Sequence, residues 1–177
     1  MENIGPVMHK GKIMKIITPC LVMLLVLLSA GCNAEISGTV VDAETGRPIE
    51  GAVVLVEWTI SKGFPGLSHT KPDEIEEVIS KKDGSFAIKQ LLNPLLNKPR
   101  ITIYKKGYVG WNNEYIFPNW EKRKNYEIKD GMIIKLEPFK NEYLRNEHVN
   151  FLKDMSHWGN LINEAYKWEE FQKEQMR

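Results

Sequence analysis

The chain has 177 residues, with 24 basic against 23 acidic side chains, 42% hydrophobic residues and two cysteines. A net charge of +1 lacks the strongly basic face that nucleic-acid binding requires, so no nucleic-acid partner is expected. Two cysteines exclude a disulfide-stapled scaffold and a cysteine-rich metal module, and the length suits one domain behind a leader.

Residues 1–31 read as a signal peptide. Lys10, Lys12 and Lys15 supply the basic region, the apolar region is strongest from Leu21 to Leu28, and Ser29, Ala30 and Gly31 are the small residues a signal peptidase accepts. Met14-Lys15 and the run after it already form a short signal, so the sequence is compatible with a start at Met1 or at Met14. The competing reading is a transmembrane helix. That needs about 20 apolar residues, and Thr18-Pro19 interrupts this run. Leu28-Ser29-Ala30-Gly31-Cys32 resembles the lipobox of bacterial lipoproteins. The resemblance implies a diacylglycerol thioether on Cys32, cleavage before it and acylation of the new amine. Two or three acyl chains hold a protein on a membrane, where one does so only marginally. The expected location is therefore the cell membrane. Asn33 differs from the aspartate of inner-membrane retention, which implies the outer membrane, facing the periplasm, in a Gram-negative host.

Without Lys10, Lys12, Lys15 and Glu2, 21 basic and 22 acidic residues remain, a net charge near −1. Cys20 leaves with the leader and Cys32 is the lipidation site, so the exported domain holds together by its apolar core alone. Residues 32–34 form a short tether.

Residues 35–138 carry β signals. Ile36 to Val41 alternates, Asp42 to Pro48 has turn chemistry, and Gly51 to Trp58 is a nearly continuous apolar run expected to be buried on both faces. Residues 59–73, with Gly63, Pro65, Gly66 and Pro72, read as a long loop before a strand from Ile75 to Ser80. Asp83-Gly84 predicts a hairpin whose return strand is Ser85 to Ile88. Further strands are predicted at Ile101–Tyr104 and Met132–Leu136, with an irregular, aromatic-rich stretch at 109–127 between them. In residues 139–177 the period changes. Phe151, Met155, Trp158, Ile162 and Ala165 form a helical stripe, and Gly159 marks a break or a second helix.

Short strands with such turns predict a mainly β antiparallel sandwich. Three segments go further. Ile36 to Asp42, Thr45 to Ile49 and Gly51 to Val54 closely resemble the opening of carboxypeptidase regulatory-like domains. Asp83-Gly84-Ser85-Phe86 resembles their second signature, and Ile101 to Tyr108, ending in Lys-Gly-Tyr, the third. The resemblance covers residues 35–137. It implies a seven-stranded transthyretin-like sandwich, here with a C-terminal helical extension, and a non-catalytic module.

The candidate ligand-binding residues are Trp111, Tyr115 and Trp120, within an aromatic stretch at 104–120 interleaved with Asn112, Asn113 and Asn119. Rings beside amides suit a sugar, such as a glycan or peptidoglycan. The alternative, which large aromatics favour in most folds, is that they cover the sandwich beneath the helix. An envelope protein is the other expected partner. No cofactor or metal is expected. His148 and His157 face opposite ways on a continuous helix, and His69, His148 and His157 read as solvated or capping residues. No nucleophile elbow or phosphate loop occurs, and the Glu74, Glu76 and Glu77 cluster reads as a solvated outer face. No catalytic residue is assigned. The helical stripe is too short for a coiled-coil seam and is expected to pack on the chain's own sandwich. The expected function is a binding or structural module of the cell envelope, and the alternative is a carbohydrate- or peptidoglycan-binding lipoprotein.

Overall fold

The structure, a computed structural model, describes residues 35–63, 69–91, 93–124 and 126–175. Its strands are β1 (Glu35–Asp42), β2 (Val53–Lys62), β3 (His69–Ile79), β4 (Ser85–Lys89), β5 (Arg100–Tyr104), β6 (Trp111–Asn112), β7 (Tyr115–Ile116), β8 (Glu121–Lys122) and β9 (Met132–Leu136). Helices α1 (Arg145–Met155) and α2 (Asn160–Gln175) follow. The fold is thus mainly β with two terminal helices. One sheet has the order β4-β1-β9, a second β3-β2-β5-β6, and β7-β8 form a small ribbon.

The sheets are not purely antiparallel. β9 runs parallel to β1, from Gly38↔Met132 to Asp42↔Leu136. A parallel neighbour needs a long connection, and the excursion of the chain before β9 supplies one.

The two sheets enclose an apolar core. Val40, Phe86, Ile88, Met132, Ile134 and Leu136 from one meet Val54, Val56, Trp58, Ile101 and Ile103 from the other. The alternate residues Val53, Leu55 and Tyr104 point the other way and pack on Leu152, Ile162 and Tyr166 of the helices. β2 is therefore covered on both faces along Val53–Trp58, as its nearly continuous apolar run predicts.

Other expectations need correction. The predicted loop at 59–73 is strand at both ends: β2 extends to Lys62 and β3 begins at His69, with a register shift opposite Trp58 and Thr59. Pro72 is tolerated because β3 is an edge strand, where a missing N–H breaks no ladder bond. Asp83-Gly84 does not join a hairpin either. β3 pairs with β2 and β4 with β1, so this tight turn passes the chain from one sheet to the other. Gly84 has φ +74°, and a Cβ there would lie 2.4 Å from the Val40 carbonyl oxygen.

The break that Gly159 predicts falls at Ser156–Gly159 and gives two helices, but Trp158 lies outside the stripe, at 37% exposure. The new helix starts there because a carboxylate from the sheet holds its free amides. Glu77 Oε2 accepts from Asn160 N (2.8 Å) and Leu161 N (2.9 Å), and Oε1 from Ile162 N (3.0 Å). Gly159 lets the chain approach, since a Cβ would lie 2.8 Å from Glu77 Oε1 and 2.9 Å from Leu55. Glu76 accepts from the Lys89 amide at 2.8 Å. The acidic cluster on β3 thus binds backbone donors rather than merely solvating a face.

Candidate functional site

The aromatic stretch begins where β6 pairs with β5, Ile103 opposite Trp111 and Thr102 opposite Asn112. Asn112 is fully buried. Its Nδ2 donates to Thr102 Oγ1 (3.0 Å), and its Oδ1 accepts from Glu114 N (2.8 Å) and Tyr115 N (3.0 Å). Asn113 is likewise engaged, accepting from Ile101 N (2.8 Å) and donating to Pro99 O (3.0 Å). Two of the three amides offered for sugar recognition therefore close the turn that carries the rings. Asn119 is exposed.

The three candidate rings do not form one platform. Trp111 is half-buried, with Tyr126 edge-on at 5.1 Å and the Arg123 guanidinium over its ring at 5.0 Å. Arg123 also donates from Nε to Asn112 O at 3.1 Å. Burial pulls the Arg123 pKa below its ordinary value and pushes the Tyr126 phenol above its own. Tyr115 and Trp120 do meet, with centroids 6.3 Å apart, and Trp120 continues onto Phe151 of α1 at 5.1 Å. Trp120 is the most open of the three, 39% exposed, and its backbone sits at φ +58°. That left-handed conformation costs a residue with a Cβ roughly 1–2 kcal/mol. Phe117, Val109, Phe151 and Met155 fill the space beneath. A cleft of about 630 Å³ runs beside this layer, lined by Trp111, Phe117, Arg123, Tyr126, Ile133 and Lys140.

A second polar group lies under the helices. His148 and Glu169 are 0% and 1% exposed, which overturns the reading of His148 as solvated or capping. His148 Nε2 accepts from the Gly110 amide (2.8 Å), so the ring proton sits on Nδ1 and donates to Glu169 Oε2 (2.8 Å). Trp168 Nε1 donates to Tyr104 Oη (2.8 Å), and Tyr104 donates to Glu169 Oε1 (2.6 Å). Burial, and then the neighbouring carboxylate, drive the Tyr104 phenol far above its ordinary pKa, so it stays a donor. A histidine oriented by a carboxylate is the frame of a general base. Here the nitrogen that would take the proton is occupied by a backbone N–H, and the group ties α1 and α2 to the sheet. The spacing His148, Leu152, Met155 places the histidine on the buried stripe of α1, the signal that could have revealed it.

Cys32, the expected lipidation site, lies outside the described residues. Among the described residues, no group of three or more His, Cys, Asp or Glu side chains is placed to hold a metal ion, and no helix is long and apolar enough to cross a membrane.

No family model and no curated protein matches the chain. Solved structures with partial similarity include a variant of the shaft pilin SpaA from Lactobacillus rhamnosus GG, 14% identical over 60% of this chain and 47% of the pilin, at a TM-score of 0.35. The group B streptococcus pilus 2b backbone protein is 12% identical over 60% of this chain and 41% of its own, at 0.34. The chain thus spans less than half the length of either pilin. Overlap this limited does not identify a shared fold or role.

Proposed function

We propose that this chain is a lipid-anchored, non-catalytic module of the bacterial cell envelope, built on a transthyretin-like seven-stranded sandwich and acting through binding or a structural role. The observation that carries the reading is the convergence of its three sequence signatures. Asp42 of the first holds its turn by accepting from Glu44 N (2.9 Å) and Thr45 N (2.7 Å). Tyr108 of the third donates to the same carboxylate at 2.9 Å. These bonds, the Thr45 amide foremost, keep the Asp42 carboxyl below its usual range. Gly84 of the second accepts from the Val40 amide at 2.9 Å. Segments distant in sequence thus meet at one end of the sandwich, as a shared module would require. The capture of His148 Nε2 by a backbone amide supports a non-catalytic role.

Cys32 supports the anchor because it lies three residues before β1. The test is growth with labelled palmitate. The wild-type chain should take up label and fractionate with membranes, and Cys32→Ala should lose both. A pull-down from detergent-solubilised envelope would then identify the partner.

The open, left-handed Trp120 favours one second reading, in which Tyr115 and Trp120 give a short platform for a glycan. In a peptidoglycan pull-down, Trp120→Ala should abolish retention with the fold intact; unchanged retention would eliminate this reading.

A further inference from the structure

The chain enters the sandwich at Glu35, which pairs with Lys89 at the end of β4. The following segment remains at that end. Leu96 bridges Ile60, and the Asn97 amide donates to Thr59 O at 2.8 Å. The Asn97 side chain donates to Thr59 Oγ1 (3.0 Å) and Ser61 Oγ (3.2 Å). The turn itself is tied twice, Leu96 N to Asn93 O (3.1 Å) and Leu95 N to Asn93 Oδ1 (3.0 Å), with Pro94 fixing the intervening φ. At its tip Leu95 is 71% exposed, more than any other large apolar side chain among the described residues. A turn held this firmly keeps the leucine at the surface, where burial against an apolar phase would be favourable.

The surroundings have two parts. Beneath the turn opens a cavity of about 490 Å³ with apolar walls from Ile36, Trp58, Leu91 and Leu96. Lys89, Lys98 and Glu127 also line it, and Glu35, Glu74 and Glu76 stand around Lys89. Lys98 has no carboxylate within ion-pair distance among the described residues, whereas Lys89 lies 3.9 Å from Glu74. An apolar tip followed three residues on by Lys98 fits the boundary between acyl chains and anionic headgroups.

We propose that the Asn93–Lys98 turn is a second membrane contact, which seats Leu95 in the headgroup boundary of an anionic bilayer and so orients the sandwich. This rests on the reading of Cys32 as the lipid anchor. Three residues of fully extended chain span at most ~10 Å, so an anchor at Cys32 keeps the β1 entrance, and the turn beside it, at the bilayer surface.

The test uses the acylated full chain with Leu95→Cys, whose new thiol carries an environment-sensitive fluorophore. It is floated on vesicles of phosphatidylethanolamine and phosphatidylglycerol containing a nitroxide-labelled lipid. The label at 95 should shift to the blue and be quenched several-fold more than the same label at Glu44→Cys, beyond the far end of β1. Equal, weak quenching at both positions on floated protein overturns the membrane contact and leaves the anchor intact. A blue shift without quenching places position 95 against protein rather than lipid and overturns the contact. A chain that carries no acyl group and does not float overturns the anchor and the contact with it. Equal quenching on neutral phosphatidylcholine vesicles removes the role given to Lys98.

Discussion

Glu57 is a charged residue on the face of β2 that otherwise carries Val53 and Leu55. One carboxylate oxygen accepts from Trp158 N at 3.3 Å, while the other is buried with no hydrogen-bond partner. Loss of water raises its pKa, outweighing the Trp158 amide and the Arg100 charge. As pH rises past about 4.5, the unfolded chain releases this proton first, so stability falls until the folded carboxyl has also ionised. Glu57→Gln should therefore abolish that decline and raise stability at neutral pH by about 1 kcal/mol. Urea midpoints at pH 4 and pH 7.5 test this; parallel shifts in both proteins would refute it. Glu169 presents the opposite case, since it satisfies two buried donors. Glu169→Ala orphans the Tyr104 hydroxyl and the His148 Nδ1–H and should cost about 3 kcal/mol. Tyr104→Phe, which removes a donor and leaves the carboxylate, should cost less in the same titration.

At the level of elements, α2 begins where a carboxylate from β3 waits for it. Glu77→Ala frees three amides at once and should cost about 1–2 kcal/mol, with hydrogen exchange accelerated over residues 160–164 before any other segment. Gly159→Ala should be comparably harmful, because the added methyl meets Leu55 and the same carboxylate. These elements also show what sequence can convey. The Gly51–Trp58 run announces a strand covered on both sides, because burial on two faces removes the alternation. Asp83-Gly84 announces a tight turn but not its partners, because its backbone chemistry is the same whether the flanking strands pair or part. Pro72 reads as a loop only until β3 is known to be an edge. The pairing of His148 with Glu169 crosses two helices, so nothing local records it, although both fall on apolar stripes. Among the candidate rings, sequence found the aromatic layer but not its division, with Trp111 under Arg123 and Trp120 left open.

For the whole molecule, the C-terminal helices close the second face of the four-stranded sheet, where Val53, Leu55 and Tyr104 would otherwise meet water. A chain ending after Pro138 should bind a hydrophobic dye strongly and self-associate in sedimentation, while the full-length chain does neither. A monomeric, dye-silent truncation would show that the sandwich stands without them.

The parallel contact between β1 and β9 has a mechanical consequence. β1 lies in the middle of its sheet, hydrogen-bonded to β4 on one side and β9 on the other. A pull entering at Glu35 acts along the strand and loads both ladders in shear, so their bonds must fail together rather than unzip one by one. The strand that receives any tension arriving at Glu35 is the one best placed to resist it.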